Sequence, residues 1–155
     1  MRMRADVKPY NDNRVRLVLK RCQNREKILK LAHFGEGVLG HDIHVSPAHP
    51  DFCEMQVPKY DPERARQLLR EAGFRLTIDA MPGSKYCEQW TKVDLGITQW
   101  AHRPLGTMVL GLGCVGDADG KPVAWNEAHW VDREFDELFK QASGTFDVNK
   151  RKAIM

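Results

Sequence analysis

A chain of 155 residues, 42% hydrophobic and 29% charged, has the length of one domain and the composition of a globular protein able to bury a core without disulfide staples. Its net charge is only +3, and the basic stretch at its start (Arg2, Arg4, Lys8, Arg14, Arg16, Lys20, Arg21, Arg25) holds Tyr10 as its one aromatic, which argues against a nucleic-acid surface and for a solvated helix face. Cys22, Cys53, Cys87 and Cys114 lie far apart with no Cys-x-x-Cys pair, which argues against a zinc or thioredoxin-like motif and predicts buried free thiols.

The opening MRMRADVKPY is basic but has no apolar core of a secretory signal. The longest charge-free apolar stretch reaches only from Pro104 to Gly116, too short to cross a bilayer as a helix. As written, the chain is therefore expected to carry neither export signal nor transmembrane segment, and to stay cytoplasmic.

Residues 11–31 read as one amphipathic helix capped by Asn11 or Asp12, with Val15, Val18, Leu19, Cys22, Ile28 and Leu29 near one face. Residues 33–60, rich in Gly, His and Pro, read as a long ordered loop, and loops of that length are usually functional or packed against another domain. The clearest local signal follows. Asp61 caps, Pro62 takes the first helical position, Ala65, Leu68, Leu69 and Ala72 form the buried stripe, and Gly73 ends the helix. Phe74 to Ala80 then alternates as a half-buried strand. A short helix capped by Ser84, with Tyr86, Trp90 and Val93 inward, is expected next, then strands over Leu95–Ala101 and Met108–Leu112. Pro122–Trp130 is irregular. Asp132 caps a helix with Phe135, Leu138, Phe139 and Ala142 inward, and Asp147 caps another.

Three patterns invite a functional reading and have a plainer one beside it. Gly111-Leu112-Gly113-Cys114-Val115-Gly116 matches Gly-x-Gly-x-x-Gly, but a dinucleotide site needs a helix directly after the loop, whereas Asp117 and Asp119 follow and would repel phosphate. Asp117-x-Asp119-Gly120 begins like a calcium loop without its later acidic ligands, and reads better as a solvated hairpin turn. His41, His44, His49 and Asp51 crowd one loop where a transition metal is conceivable, but no helix fixes their geometry, and polar loop residues with local hydrogen bonds are the plainer account. No nucleophile–base or paired-carboxylate arrangement has diagnostic spacing, so no catalytic residue, metal or cofactor is expected.

Three blocks carry a resemblance. Pro9-Tyr10-Asn11-Asp12-Asn13-Arg14-Val15-Arg16 leads to Asn24-Arg25-Glu26-Lys27-Ile28-Leu29; Tyr60-Asp61-Pro62-Glu63-Arg64-Ala65 leads to Leu68-Leu69-Arg70-Glu71-Ala72-Gly73-Phe74; and Trp125-Asn126 leads through Trp130 to Glu134-Phe135-Asp136 and Ala142. In order and spacing they resemble extracellular solute-binding proteins of family 5, the peptide/nickel type. The family's Asp before Arg is Asn24 here, and members are much longer. The family also places a helix and a further strand between a segment like Phe74–Ala80 and one like Met81–Val93. Here one runs directly into the other, and a parallel strand pair needs a crossover of about a dozen residues or more.

The resemblance implies an α/β fold, here a partial lobe of a two-lobed periplasmic-binding-protein-like (type II) architecture. Residues 1–155 are then one incomplete domain with an internal gap near 80–81. It implies a non-enzymatic component of an ABC importer, periplasmic in the family, that binds a small peptide or other small solute by hinge closure and works with ABC permease subunits. As a fragment it would have reduced or no activity alone. Trp100 and Arg103, at the end of an expected strand, and Trp125 and Asn126, in the irregular segment, are the implied ligand-binding residues, with Arg103 able to pair with a carboxylate. Core tryptophans and a surface arginine are the plainer account of the same residues. A non-functional gene remnant and a small stand-alone α/β enzyme remain as alternatives.

Overall fold

A computed structural model describes residues 1–71 and 79–155. In chain order the described elements are β1 (Arg2–Met3), α1 (Asn13–Arg21), α2 (Arg25–Ala32), α3 (Pro62–Glu71), α4 (Gly83–Cys87), β2 (Leu95–Gly96), α5 (Gly106–Gly113), α6 (Arg133–Ser143) and α7 (Val148–Ile154). The expected strand Phe74–Ala80 and the helix stop at Gly73 fall largely or wholly outside the described residues.

The helix expected over residues 11–31 is two helices. Asp12 caps α1 by accepting from the Arg14 N–H, and Cys22 closes it. Asn24 then caps α2, its side-chain oxygen accepting from the Lys27 N–H at 2.9 Å. A side-chain oxygen that bonds backbone two or three residues ahead competes with the helical ladder, so Asn24 restarts the helix in a new direction. The apolar face divides accordingly. Val15, Val18 and Leu19 of α1 are buried, whereas no residue of α2 is.

α1 packs along α3. The helix at Pro62 forms as its local signals demand: the Arg64 N–H donates to Asp61 Oδ1 at 3.0 Å, and Ala65 is fully buried. Beneath α1, Met3, Tyr10, Val15 and Leu19 form a small core with Val7 and Leu95 against it.

β1 and β2 pair antiparallel with Arg2 opposite Gly96 and Met3 opposite Leu95. β2 stops at Gly96 and does not run to Ala101, because β1 offers only two residues to pair with. Residues 33–60 contain no regular element. α4 begins after Pro82, not Ser84.

The strand expected over Met108–Leu112 is a helix, α5. A short run apolar on every side suits a buried strand and a buried helix equally, and periodicity does not separate them. Tertiary contacts select the helix. Leu105 gives its N-terminus no side-chain cap, but Asp51, fully buried in the distant loop, accepts the Gly106 N–H at 3.1 Å. α5 then lies against α6, and α6 against α7. Asp132 and Asp147 cap these last two helices, accepting from the Phe135 and Lys150 N–H groups at 3.1 and 2.8 Å. Leu138, expected inward on α6, is 41% exposed, while Ala142 on the same helix is buried.

The glycines at 111, 113 and 116 are packing residues. A Cβ on Gly111 would meet the Phe139 ring at 2.8 Å, one on Gly113 the Trp100 ring at 2.8 Å, and one on Gly116 the Val131 side chain at 2.7 Å. The first two lie inside a helix, not in a loop that could cradle a phosphate. Asp117 and Asp119 form the expected hairpin turn: the Asp117 N–H donates to the Lys121 carbonyl at 2.7 Å, Asp117 Oδ1 accepts from the Asp119 and Lys121 N–H groups at 2.9 Å, and Gly120 takes φ +74°.

Candidate functional site: an aromatic corner beside a polar cavity

Three tryptophans meet edge to face. Trp90 and Trp100 have ring centroids 6.2 Å apart, Trp90 and Trp125 5.6 Å, and Trp100 and Trp125 5.9 Å. This is the arrangement that ring quadrupoles favour. They come together because α4 and the turns after it supply Trp90, the segment past β2 supplies Trp100, the irregular stretch supplies Trp125, and Gly113 lets α5 approach the Trp100 ring.

Beneath them lies a buried carboxylate. Glu127 is 4% exposed and accepts from Trp100 Nε1 at 2.8 Å, Thr98 Oγ1 at 2.6 Å and Arg2 Nε at 2.7 Å. Tyr86 Oη lies 2.9 Å from Thr98 Oγ1, and the Arg2 guanidinium also donates to the Val93 and Glu127 carbonyls. A carboxylate this deep is tolerated only when paired and hydrogen-bonded, and Arg2, Thr98 and Trp100 together satisfy it.

Trp100 and Thr98 form one wall of a cavity of about 390 Å³, with His44 beside them. Lys20, Arg25 and Asp42 line another part, where Arg25 donates to Asp42 Oδ1 and Lys20 Nζ lies 3.9 Å from Asp42 Oδ2. The His44 ring meets the Trp100 ring edge-on at 5.0 Å. His44 keeps access to solvent, yet desolvation by the surrounding protein pushes its pKa below the usual imidazole value, outweighing the opposite pull of Glu127.

Of the four residues expected to meet ligand, the structure brings Trp100 and Trp125 into one corner, half-buried and 44% exposed respectively. Neither Trp100 nor Arg103 stands at a strand end, since β2 closes at Gly96. Arg103 is half-buried; its guanidinium donates to the His102 carbonyl at 3.2 Å and has no carboxylate partner among the described residues. Asn126 is 2% exposed, and its amide donates to the Trp130 and Val115 carbonyls at 2.8 and 3.2 Å, holding the turn that presents Trp125. Its Oδ1 has no protein partner among the described residues. Sequence reasoning missed Glu127, Thr98 and Arg2. They are scattered along the chain, and only the neighbourhood of Glu127 to Trp125-Asn126 gave any hint.

The histidine loop disperses. His41 lies tilted against Phe52, His44 meets Trp100 edge-on, and His49 pairs with His102 at a centroid distance of 5.3 Å. Among the described residues no three His, Cys, Asp or Glu side chains gather as a metal site would require. All four cysteines are free, but Cys22, Cys53 and Cys87 are exposed, not buried as expected. Cys114 is half-buried, and desolvation, reinforced by Glu127, pushes its thiol pKa up to about 11. No described helix is long and apolar enough to cross a membrane.

The sequence pattern of bacterial extracellular solute-binding proteins, family 5 (Middle), matches residues 1–97. The chain is 27% identical over 186 aligned positions to the dipeptide-binding protein of Escherichia coli (strain K12), taking in 93% of this chain and 34% of that protein. To the di/tripeptide-binding protein 1 of Pseudomonas aeruginosa (strain UCBPP-PA14) it is 25% identical over 186 positions, 95% of this chain and 34% of that one. It thus spans about a third of the length of these curated relatives. Among solved structures, the PBP/SBP MoaA from A. tumefaciens R10 in complex with mannopinic acid superposes with a TM-score of 0.79 at 17% identity, over 98% of this chain and 38% of that one. NikZ from Campylobacter jejuni in complex with Ni(L-His) superposes with a TM-score of 0.66 at 21% identity, over 98% and 40%. At these identities the superpositions speak to the fold, a partial α/β lobe of a solute-binding protein.

Proposed function

The chain belongs to the bacterial extracellular solute-binding proteins of family 5, and from that premise we propose that it is part of the ligand-binding component of an ABC importer whose solute is a peptide or a related small molecule. No bond is made or broken in this function; the protein captures its solute and hands it to permease subunits outside the cytoplasm. Curated relatives described as dipeptide-binding and di/tripeptide-binding support the solute class.

The observation that carries the reading is the aromatic corner. Trp100 offers an apolar face to a cavity that also holds charged groups, the mixture that ligand pockets use for affinity and orientation, and Trp125 packs edge-on against its ring. Arg103 is the anchor for a carboxylate, since among the described residues no protein carboxylate occupies it. Asn126 acts from beneath, holding the turn that presents Trp125.

An incomplete lobe with reduced or no activity alone fits the same facts. Each curated alignment runs over 186 positions, more than the 155 residues of the chain, so the relatives carry positions with no counterpart here. A gap near 80–81 would leave such positions without a counterpart. With most of a two-lobed cleft missing, about 1 mM affinity or weaker is expected for short peptides, because enclosure by both lobes supplies much of the binding energy. A ¹H–¹⁵N titration with alanine dipeptide and tripeptide detects binding that weak. Shifts confined to the Trp100 and Trp125 indoles and the backbone around Arg103 and Asn126 are expected; shifts elsewhere with this corner silent would sink the reading.

A further inference from the structure

We infer that Glu127 is a positioning residue, a buried carboxylate anchor that holds the Trp100 indole in the orientation it presents to the cavity. This rests on the reading above that Trp100 faces ligand. An indole bounded only by other rings has a broad edge-to-face preference within which it can slide and tilt, whereas a hydrogen bond fixes one atom in place. The Trp100 ring has such neighbours on several sides: Trp90 and Trp125 edge-on, His44 at 5.0 Å, and the Cβ-less Gly113 of α5. Among the described residues its one hydrogen bond is the Nε1–H···Oε1 bond to Glu127 at 2.8 Å.

The anchor itself is held from two distant parts of the chain. Oε2 receives Arg2 Nε from β1 and Thr98 Oγ1 from the segment after β2, which leaves Oε1 for the indole. Both partners of the Arg2–Glu127 pair are buried, with side chains 9% and 5% exposed. A charged acceptor in so dry a site binds its donors about twice as strongly as a neutral one. Such a pair adds little net stability compared with an apolar replacement. What it supplies here is direction: a fixed acceptor for an aromatic wall.

The test follows the Trp100 indole N–H cross-peak in the whole chain, assigned by its loss in Trp100→Phe. Glu127→Gln keeps the size of the side chain and removes the charge. The expected result is an upfield shift of that cross-peak and hydrogen exchange about tenfold faster, the loss of one charge-assisted bond, with a changed near-UV exciton signal from the tryptophan trio and an unaltered far-UV spectrum. Should Glu127→Gln not fold because Arg2 is left without its counter-charge, Arg2→Gln/Glu127→Gln removes both charges and is read in the same way; Glu127→Asp, which keeps the charge on a shorter stem, should restore part of the shift. A Trp100 cross-peak and exciton signal unchanged in a folded Glu127→Gln or double variant overturns the anchor. Alanine dipeptide is then added to the unsubstituted chain. A cross-peak that answers Glu127→Gln but not the peptide leaves the anchor standing and removes the ligand-facing role given to Trp100.

Discussion

Gly113 is the residue whose meaning changes most between sequence and structure. In sequence it is the second glycine of a phosphate-loop pattern; in the fold it sits in α5 with the Trp100 ring where its Cβ would be, at 2.8 Å. Alanine would gain helix propensity but collide with an indole already fixed on several sides, so Gly113→Ala should lower stability by about 1–2 kcal/mol in urea unfolding. Titration with NAD or ATP should give no saturable signal. Micromolar nucleotide binding that Gly113→Ala abolishes would restore the phosphate-loop reading. The pattern of glycines was legible in the sequence, but whether each leaves room for a phosphate or for a ring depends on residues such as Trp100 and Phe139, which the pattern does not contain.

The helices divide by where their caps come from. α1, α3, α6 and α7 carry Asp12, Asp61, Asp132 and Asp147 at their own N-termini; the last three were legible as a short run of sequence, and the first was left between Asn11 and Asp12. α5 was misread as a strand because its cap, Asp51, lies 55 residues away. Asp51 is fully buried and also faces Arg151 of α7 at 3.3 Å, so one carboxylate ties the loop, α5 and α7 together. Asp51→Asn preserves an acceptor for the Gly106 N–H but leaves the Arg151 guanidinium, 10% exposed, without its counter-charge. A loss of about 3 kcal/mol is expected, most of it recovered in Asp51→Asn/Arg151→Met, since replacing both members of a buried pair costs far less than removing one. A double-mutant cycle by denaturant unfolding measures this, and additive losses would show that the two residues do not work as a pair.

At the scale of the whole molecule, much apolar surface of the described residues is exposed. Phe146 is 95% exposed, Phe34 90%, Ile97 78%, and Trp130 51%, while the one described sheet has two strands of two residues each. Such a surface calls for the remainder of a two-lobed protein. The chain alone should therefore unfold over a broad, concentration-dependent range and associate in sedimentation experiments; a sharp cooperative melt of a monomer with micromolar peptide affinity by calorimetry would show a complete binding domain instead. The sequence by itself determined the family, the irregular loop and the helices whose caps and apolar stripes are local, because those signals are written within about a turn of the residues they govern. It also pointed to Trp100 and Trp125, which the fold brings into one corner. Only the tertiary structure decided that 106–113 is helical and that Glu127 lies under the tryptophans with Arg2, 125 residues away, as its counter-charge. Those outcomes depend on partners that meet only when the chain closes on itself, and a buried charge or an uncapped helix end records its need for a partner without recording where in the sequence that partner lies.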